Sequence, residues 1–100
     1  DDVIHGVTIA ANGFYGPQGR KVRLALADPD LNHKIESFHW DKYQITNFEM
    51  ESSSLAGLAA LMGHRAMTVC CIIADRLGGK MNTEYKGSIP DLIRKVLERI

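Results

Sequence analysis

The segment order of this chain predicts an α/β fold, and three observations carry the prediction. Gly6–Ala11 (GVTIAA) reads as a short strand closed by Asn12-Gly13. Glu49–Met62 places Leu55, Leu58, Ala59 and Met62 on one helical face, with Ala56, Ala60 and Leu61 filling most of the remainder. Ala66–Ala74 (AMTVCCIIA) is an unbroken apolar run rich in β-branched residues, the pattern of a central parallel strand covered on both faces. A further helix after it completes the order strand, helix, strand, helix, which builds an α/β sheet.

The other elements follow from local chemistry. Phe14–Gly19 holds two glycines and a proline and is read as a loop. Lys21–Ala27 is a second strand or an extended connector, ended by Pro29. Asp30–Trp40 is read as a short helix from Leu31, Ile35 and Phe38, although Ile35–Trp40 also fits an extended segment. Tyr43–Phe48 alternates as a strand. A helix apolar nearly all round, as Glu49–Met62 is, should be buried on several sides, and Gly63 supplies its stop. Asp75–Gly87 is a polar loop. Ser88 caps a final helix with Pro90 in its first turn and a buried stripe of Ile89, Leu92, Ile93, Val96, Leu97 and Ile100. Phe38, Trp40 and Tyr43 are read as packing residues.

Composition narrows the function classes. The 45% hydrophobic content is ample for a core. Twelve basic and twelve acidic residues are interspersed and cancel, so neither nucleic acid nor an anionic membrane is indicated as a partner. Near-zero charge favours self-association. The longest apolar stretches fall well short of the roughly 20 residues of a spanning helix. Asp1-Asp2 stands where a secretory signal would carry basic residues. Cys70 and Cys71 are adjacent, a poor geometry for a structural disulfide, and read as two buried thiols in a reducing cytoplasm. His5, His33, His39 and His64 have no metal-ligand spacing, so no metal is expected. Gly78-Gly79-Lys80 lacks the rest of a phosphate-loop frame.

The run Asn47-Phe48-Glu49-Met50-Glu51-Ser52 carries the most chemistry. Two readings stand side by side. Thr46 with Glu49 three residues on matches a capping box, and both carboxylates suit the positive end of a helix. Alternatively, Glu51 grips a vicinal diol, because an ionised carboxylate has two acceptor oxygens for two adjacent hydroxyls.

Read together with Phe14-Tyr15-Gly16-Pro17-Gln18-Gly19-Arg20, this run resembles the C-terminal half of a nucleoside phosphorylase, closest to the uridine phosphorylase branch. The resemblance covers essentially all 100 residues. It implies the C-terminal portion of a nucleoside-phosphorylase-type mixed sheet flanked by helices. Residues 1–100 would be the nucleoside-binding part of one domain, with the phosphate-binding part absent from this chain, which also lacks a starting methionine. By the same resemblance Glu51 holds the ribose 2′- and 3′-hydroxyls, Met50 packs under the sugar, Phe48 lines the base side and Glu49 lies close to the ribose. Phe14 stacks on the base, and Gln18 and Arg20 read it. The Gln18 amide complements a pyrimidine edge, and the Arg20 cation faces the charge that gathers on departing uracil. Pro17 stands where the branch usually has glycine.

Ile72-Ile73-Ala74-Asp75-Arg76 is the third element. Ile73 and Ala74 are expected against the base, with Arg76 supporting Arg20. Asp75 is either a proton donor, as in purine-cleaving relatives, or the partner of the adjacent Arg76 cation, which favours the ionised carboxylate.

The implied activity is that of a pentosyltransferase of pyrimidine salvage, converting uridine plus phosphate to uracil plus ribose 1-phosphate. Phosphate is a co-substrate, no cofactor is needed, and the enzyme is a homo-oligomer, dimer or hexamer. These 100 residues alone are expected to be inactive. The alternatives are a purine nucleoside phosphorylase or nucleosidase with Asp75 as acid, and a non-catalytic assembly piece whose helix Glu49–Met62 serves an interface.

Overall fold

In the computed structural model, which describes residues 3–76 and 78–100, β1 (Val7–Ala10) lies parallel to β3 (Tyr43–Glu49). The register runs Val7 to Ile45, Thr8 to Asn47, Ile9 to Phe48 and Ala10 to Glu49, with an irregularity after Val7. The Thr8 hydroxyl donates to Asn47 Oδ1 at 2.8 Å across the pair. A parallel pair needs a long crossover. Residues 11–42 supply it and carry α1 (Leu31–Ser37), which packs on β3. β2 (His39–Trp40) closes an antiparallel hairpin onto the other edge of β3, so the sheet is mixed, with order β1-β3-β2. Asp41 takes φ +54° in the hairpin turn, a conformation Asp tolerates. This is the mixed sheet flanked by helices that the sequence predicts.

The segment 30–40 proves to be both of the things its pattern allowed, a helix and then a short strand. Residues 21–27 form no strand and run as an irregular connector. Phe38 and Trp40 are exposed, and Trp40 packs chiefly by stacking on its cross-strand partner Tyr43, centroids 6.0 Å apart. Asp1 and Asp2, read above against a secretory signal, lie outside the described residues, as does Leu77 of the polar loop.

α2 spans Ser52–Leu61, three residues later than expected, because Glu49 still belongs to β3. Thr46 is therefore mid-strand and forms no capping box; its hydroxyl faces the Val7 carbonyl at 3.5 Å. The far end of α2 closes as predicted. Gly63 takes φ +73°, its N–H reaches the Ala60 carbonyl at 3.2 Å, and the His64 N–H reaches the Ala59 carbonyl at 2.7 Å, a Schellman motif. The expectation that α2 is buried on several sides does not hold here. Leu55 is 52% exposed, Leu58 60% and Leu61 86%. Covering a leucine side chain is worth about 1.5–3 kcal/mol, so the sequence of α2 is written for neighbours that these residues do not supply to it.

The chain divides into two compact units, Asp1–Met67 and Thr68–Ile100. In the second, the predicted strand Ala66–Ala74 is not formed: residues 64–73 have no regular structure. A strand exists only by pairing, and among the described residues none forms a ladder with residues 66–73. Only its last residue joins a ladder, where β4 (Ala74–Asp75) meets β5 (Lys80–Met81) in an antiparallel hairpin. Cys70 and Cys71 are free thiols, half-buried rather than buried. The closing helix α3 spans Tyr85–Leu97. It begins a turn before Ser88 and carries Pro90 inside, so the proline did not mark its start. The Asn82 side chain accepts the Glu84 N–H at 3.0 Å and turns the chain into the helix. Ile89, Leu92 and Val96 are half-buried, while Ile93, Leu97 and Ile100 are exposed. No helix of the described residues is long and apolar enough to cross a membrane.

Gly63→Ala forces a side chain into the left-handed region and should destabilise the first unit by about 1–2 kcal/mol. An unchanged urea midpoint would remove Gly63 from the helix stop.

Candidate functional site

Both predicted recognition segments of the first unit leave the sheet at one edge. β1 and β3 are adjacent and parallel, so their C-terminal ends lie side by side, and the Ala11 N–H extends the ladder to the Glu49 carbonyl at 2.9 Å. From β1 the chain continues into the loop 12–20; from β3 it continues into Met50, Glu51 and α2. The strand ends of an α/β sheet are where ligands collect.

The first loop is a folded turn rather than a solvated connection. Gly16–Gln18 makes one 3-10 turn, with the Gly19 N–H on the Gly16 carbonyl at 2.8 Å and the Arg20 N–H on the Tyr15 carbonyl at 2.9 Å. Gly19 takes φ +71°, and a methyl there would also collide with the Asn32 side chain. That turn buries Gln18, which is only 4% exposed. Arg20 folds back over the loop. Its Nη1 donates to the Phe14 carbonyl at 2.6 Å and to Gln18 Oε1, and its guanidinium carbon lies 4.0 Å from the Phe14 ring centroid. A cation over an aromatic face is worth about 0.5–2 kcal/mol, depending on desolvation. Phe14, Gln18 and Arg20, predicted from three separate positions, are thus one mutually supported cluster. Among the described residues no hydrogen bond uses Arg20 Nη2 or Nε, or Gln18 Nε2, so these donors remain for a ligand. One face of the half-exposed Phe14 ring is taken by Arg20, and Tyr15 meets it edge-on at 5.2 Å.

The second segment divides its carboxylates between two tasks. Glu49 Oε2 accepts the N–H of Glu51 at 2.8 Å and of Ser52 at 2.6 Å, and its Oε1 accepts the Ser52 hydroxyl. The Ser52 hydroxyl above all holds its carboxyl below the usual glutamate range; burial opposes this, and the N–H groups of Glu51 and Ser52 add to the lowering. Glu49 therefore pins the entry of α2, a task the capping-box reading assigned to the wrong partner. Glu51, the N-cap residue of α2, is exposed, and its carboxylate meets only the Met50 N–H, at 3.1 Å on Oε2, among the described residues. Oε1 is open. Met50 is exposed beside it and Phe48 is half-buried.

Ile73, Ala74, Asp75 and Arg76 belong to the second unit. Ile73, Ala74 and Asp75 line a shallow depression of about 290 Å³ with Ile72, Lys80, Met81 and Asn82. The Ile73 carbonyl accepts the Asn82 N–H at 2.7 Å, and Asp75 Oδ1 accepts the Gly78 N–H at 2.9 Å. That last bond is part of what shapes the hairpin turn.

Two contributors escaped the sequence reading. Ser52 stood within the motif, but its hold on Glu49 depends on where the strand ends. Asn32, whose Nδ2 donates to the Gly19 carbonyl at 3.0 Å, sits 13 residues from its partner with no local signal.

Comparison with known proteins gives the family of the chain. The family described as the phosphorylase superfamily matches residues 1–99. The chain belongs to that family. It is 37% identical over 83 residues to uridine phosphorylase A of Schistosoma mansoni, covering 81% of this chain. It is 36% identical over 78 residues to uridine phosphorylase of Thermococcus kodakarensis, covering 72%. It is also 35% identical over 77 residues to inactive uridine phosphorylase B of Schistosoma mansoni, covering 75%. The matched stretches span 27%, 25% and 25% of these relatives, so the chain covers about a quarter of their length. No solved structure matches the chain at comparable significance.

The Glu49 clamp predicts a pH dependence. A carboxyl held below its ordinary value of 4.5 stabilises the fold fully above 4.5, and that contribution is lost as pH falls through the lower folded value. Amide shifts of Glu51 and Ser52 should therefore titrate together below 4.5. Ser52→Ala removes the leading partner and should move that inflection upward. Amides that do not follow Glu49 would break the assignment.

Proposed function

We propose that the protein carrying this chain is a uridine phosphorylase, a pentosyltransferase that converts uridine and phosphate to uracil and ribose 1-phosphate. The observation that carries the reading is the parallel pair β1–β3. It sets an amide–guanidinium–phenyl cluster and an open carboxylate at one sheet edge. In this reading the open Glu51 carboxylate accepts the ribose 2′- and 3′-hydroxyls, with Met50 beneath the sugar and Phe48 and Glu49 beside it. Gln18 and the free N–H groups of Arg20 meet the uracil edge, and the exposed side of Phe14 packs on the base. The family resemblance assigns Ile73, Ala74 and Arg76, which belong to the second unit, to contact with the base.

The chemistry follows from charge. As a phosphate oxygen bonds to C1′, the C1′–N1 bond breaks and its electron pair moves onto uracil. Fixed guanidinium donors bind that charge more strongly in the transition state than in uridine, which is the condition for catalysis. The residues that hold phosphate are assigned to sequence outside these 100 residues, in keeping with relatives about four times the matched length. The isolated chain should then be inactive, since much of the acceleration comes from positioning both reactants. Phosphate is the co-substrate and no cofactor takes part. A homo-oligomer and a cytoplasmic setting belong to the same proposal, the latter in keeping with free thiols at Cys70 and Cys71.

One feature weighs against the purine-cleaving alternative. Asp75, the acid a purine-cleaving enzyme would need, is engaged with the Gly78 N–H. One relative is named an inactive uridine phosphorylase, so activity is assigned here on Gln18, Arg20 and Glu51 and not on family membership.

The test is phosphorolysis by the full-length protein, assayed with uridine, 2′-deoxyuridine and inosine. Arg20→Ala should lower kcat/KM for uridine roughly 100-fold, about 3 kcal/mol, by analogy with the loss of one oxyanion donor. Inosine should suffer less; equal losses would remove the base-reading role. Glu51→Gln should weaken uridine more than 2′-deoxyuridine. If both fall alike, Glu51 serves only the helix end.

A further inference from the structure

Among the described residues, one hydrogen bond ties the base-reading loop to a residue outside it, and that residue is unassigned. Gly19 is buried, lies between Gln18 and Arg20, and takes φ +71°. Its carbonyl accepts a hydrogen bond from Asn32 Nδ2 at 3.0 Å. Asn32 is the second residue of α1, and α1 packs on β3, the strand that ends in Glu49. The ten residues between Arg20 and α1 contain no strand or helix, and most are exposed. Along the chain, Arg20 is joined to α1 only through this irregular stretch.

We infer that Asn32 is a positioning residue: it fixes the Gln18–Gly19–Arg20 reader to the helix seated on β3, and so sets the base-binding donors relative to the carboxylate that follows that strand. The substrate named in this inference rests on the uridine reading above; the mechanical link does not. A change in Gly19 ψ, the torsion that turns its carbonyl, would swing Arg20 relative to Gln18. Holding the carbonyl stops that rotation. Asn32 touches neither base nor ribose in this scheme, so its effect should fall on substrate capture rather than on bond breaking.

Asn32→Asp is the informative change. It keeps the shape, removes the donor at neutral pH and sets a carboxylate oxygen against the Gly19 carbonyl. Lys34→Ala is its control: it breaks the exposed Lys34–Asp28 bridge of 2.7 Å on the same helix without touching Gly19. Two readouts are needed in the full-length protein. Amide hydrogen exchange of residues 14–20 should quicken about five- to tenfold in Asn32→Asp and stay unchanged in Lys34→Ala, as expected for one lost hydrogen bond. Uridine KM should rise by a similar factor in Asn32→Asp, with the KM for phosphate and the kcat near wild type. Wild-type loop exchange in Asn32→Asp, or an equal quickening in Lys34→Ala, overturns the inference. Quickened exchange in a protein that does not process uridine would uphold the tether and overturn the substrate reading instead.

Discussion

The parallel alignment of β1 with β3 is the constraint on which the site depends. Two antiparallel neighbours would send their C-terminal ends to opposite edges of the sheet. A parallel pair brings both to one edge, about 5 Å apart. The long crossover this requires is also what places α1 on β3 and brings Asn32 to the first loop. One topological choice thus produces the site and its support.

Within that frame, two carboxylates two residues apart have different fates. Glu49, the last residue of β3, turns back onto the first amides of α2 and is consumed as an acceptor. Glu51 begins the helix and keeps an open oxygen. A half-buried carboxylate with three donors is a poor ligand for a sugar, and an exposed one with a single weak contact is a good one. The rigid member makes the other usable, because its hold on the Glu51 amide orients the residue that reaches outward. The same division appears in the loop, where buried Gln18 and the Phe14 carbonyl hold one nitrogen of Arg20 and leave the rest of the guanidinium presented.

The apolar surface follows a different logic. α2 has good stop chemistry and almost no polar face, yet its leucines are half or more exposed. Its helicity therefore rests on end contacts and intrinsic preference, which are weak for ten residues. The run 66–73 has the same character, a strand composition without a ladder. Both segments carry side chains selected for burial, and both belong to a chain that spans about a quarter of its relatives.

Much of this was legible in the residues because the relevant rules are local. Alternation gave away β3, a glycine after an apolar helix marked the end of α2, and the glycines and proline of residues 13–19 announced a turn. The side-chain types of the proposed site were legible too: a carboxylate at Glu51, an amide at Gln18 and a cation at Arg20. Local rules failed where pairing decides. Ala66–Ala74 has every residue a strand wants, but residue preference cannot provide a neighbour. Pro90 looked like a helix start, but the Asn82 turn upstream set the beginning. Sequence by itself determined the helix and strand preferences, the chemical kinds of side chain at the site and the family to which the chain belongs. Only the tertiary structure decided which glutamate is spent on the backbone, that Arg20 folds onto Phe14, and that Asn32 holds the loop. Those outcomes depend on which strand ends lie together, and such contacts between distant residues leave no periodic trace in the chain.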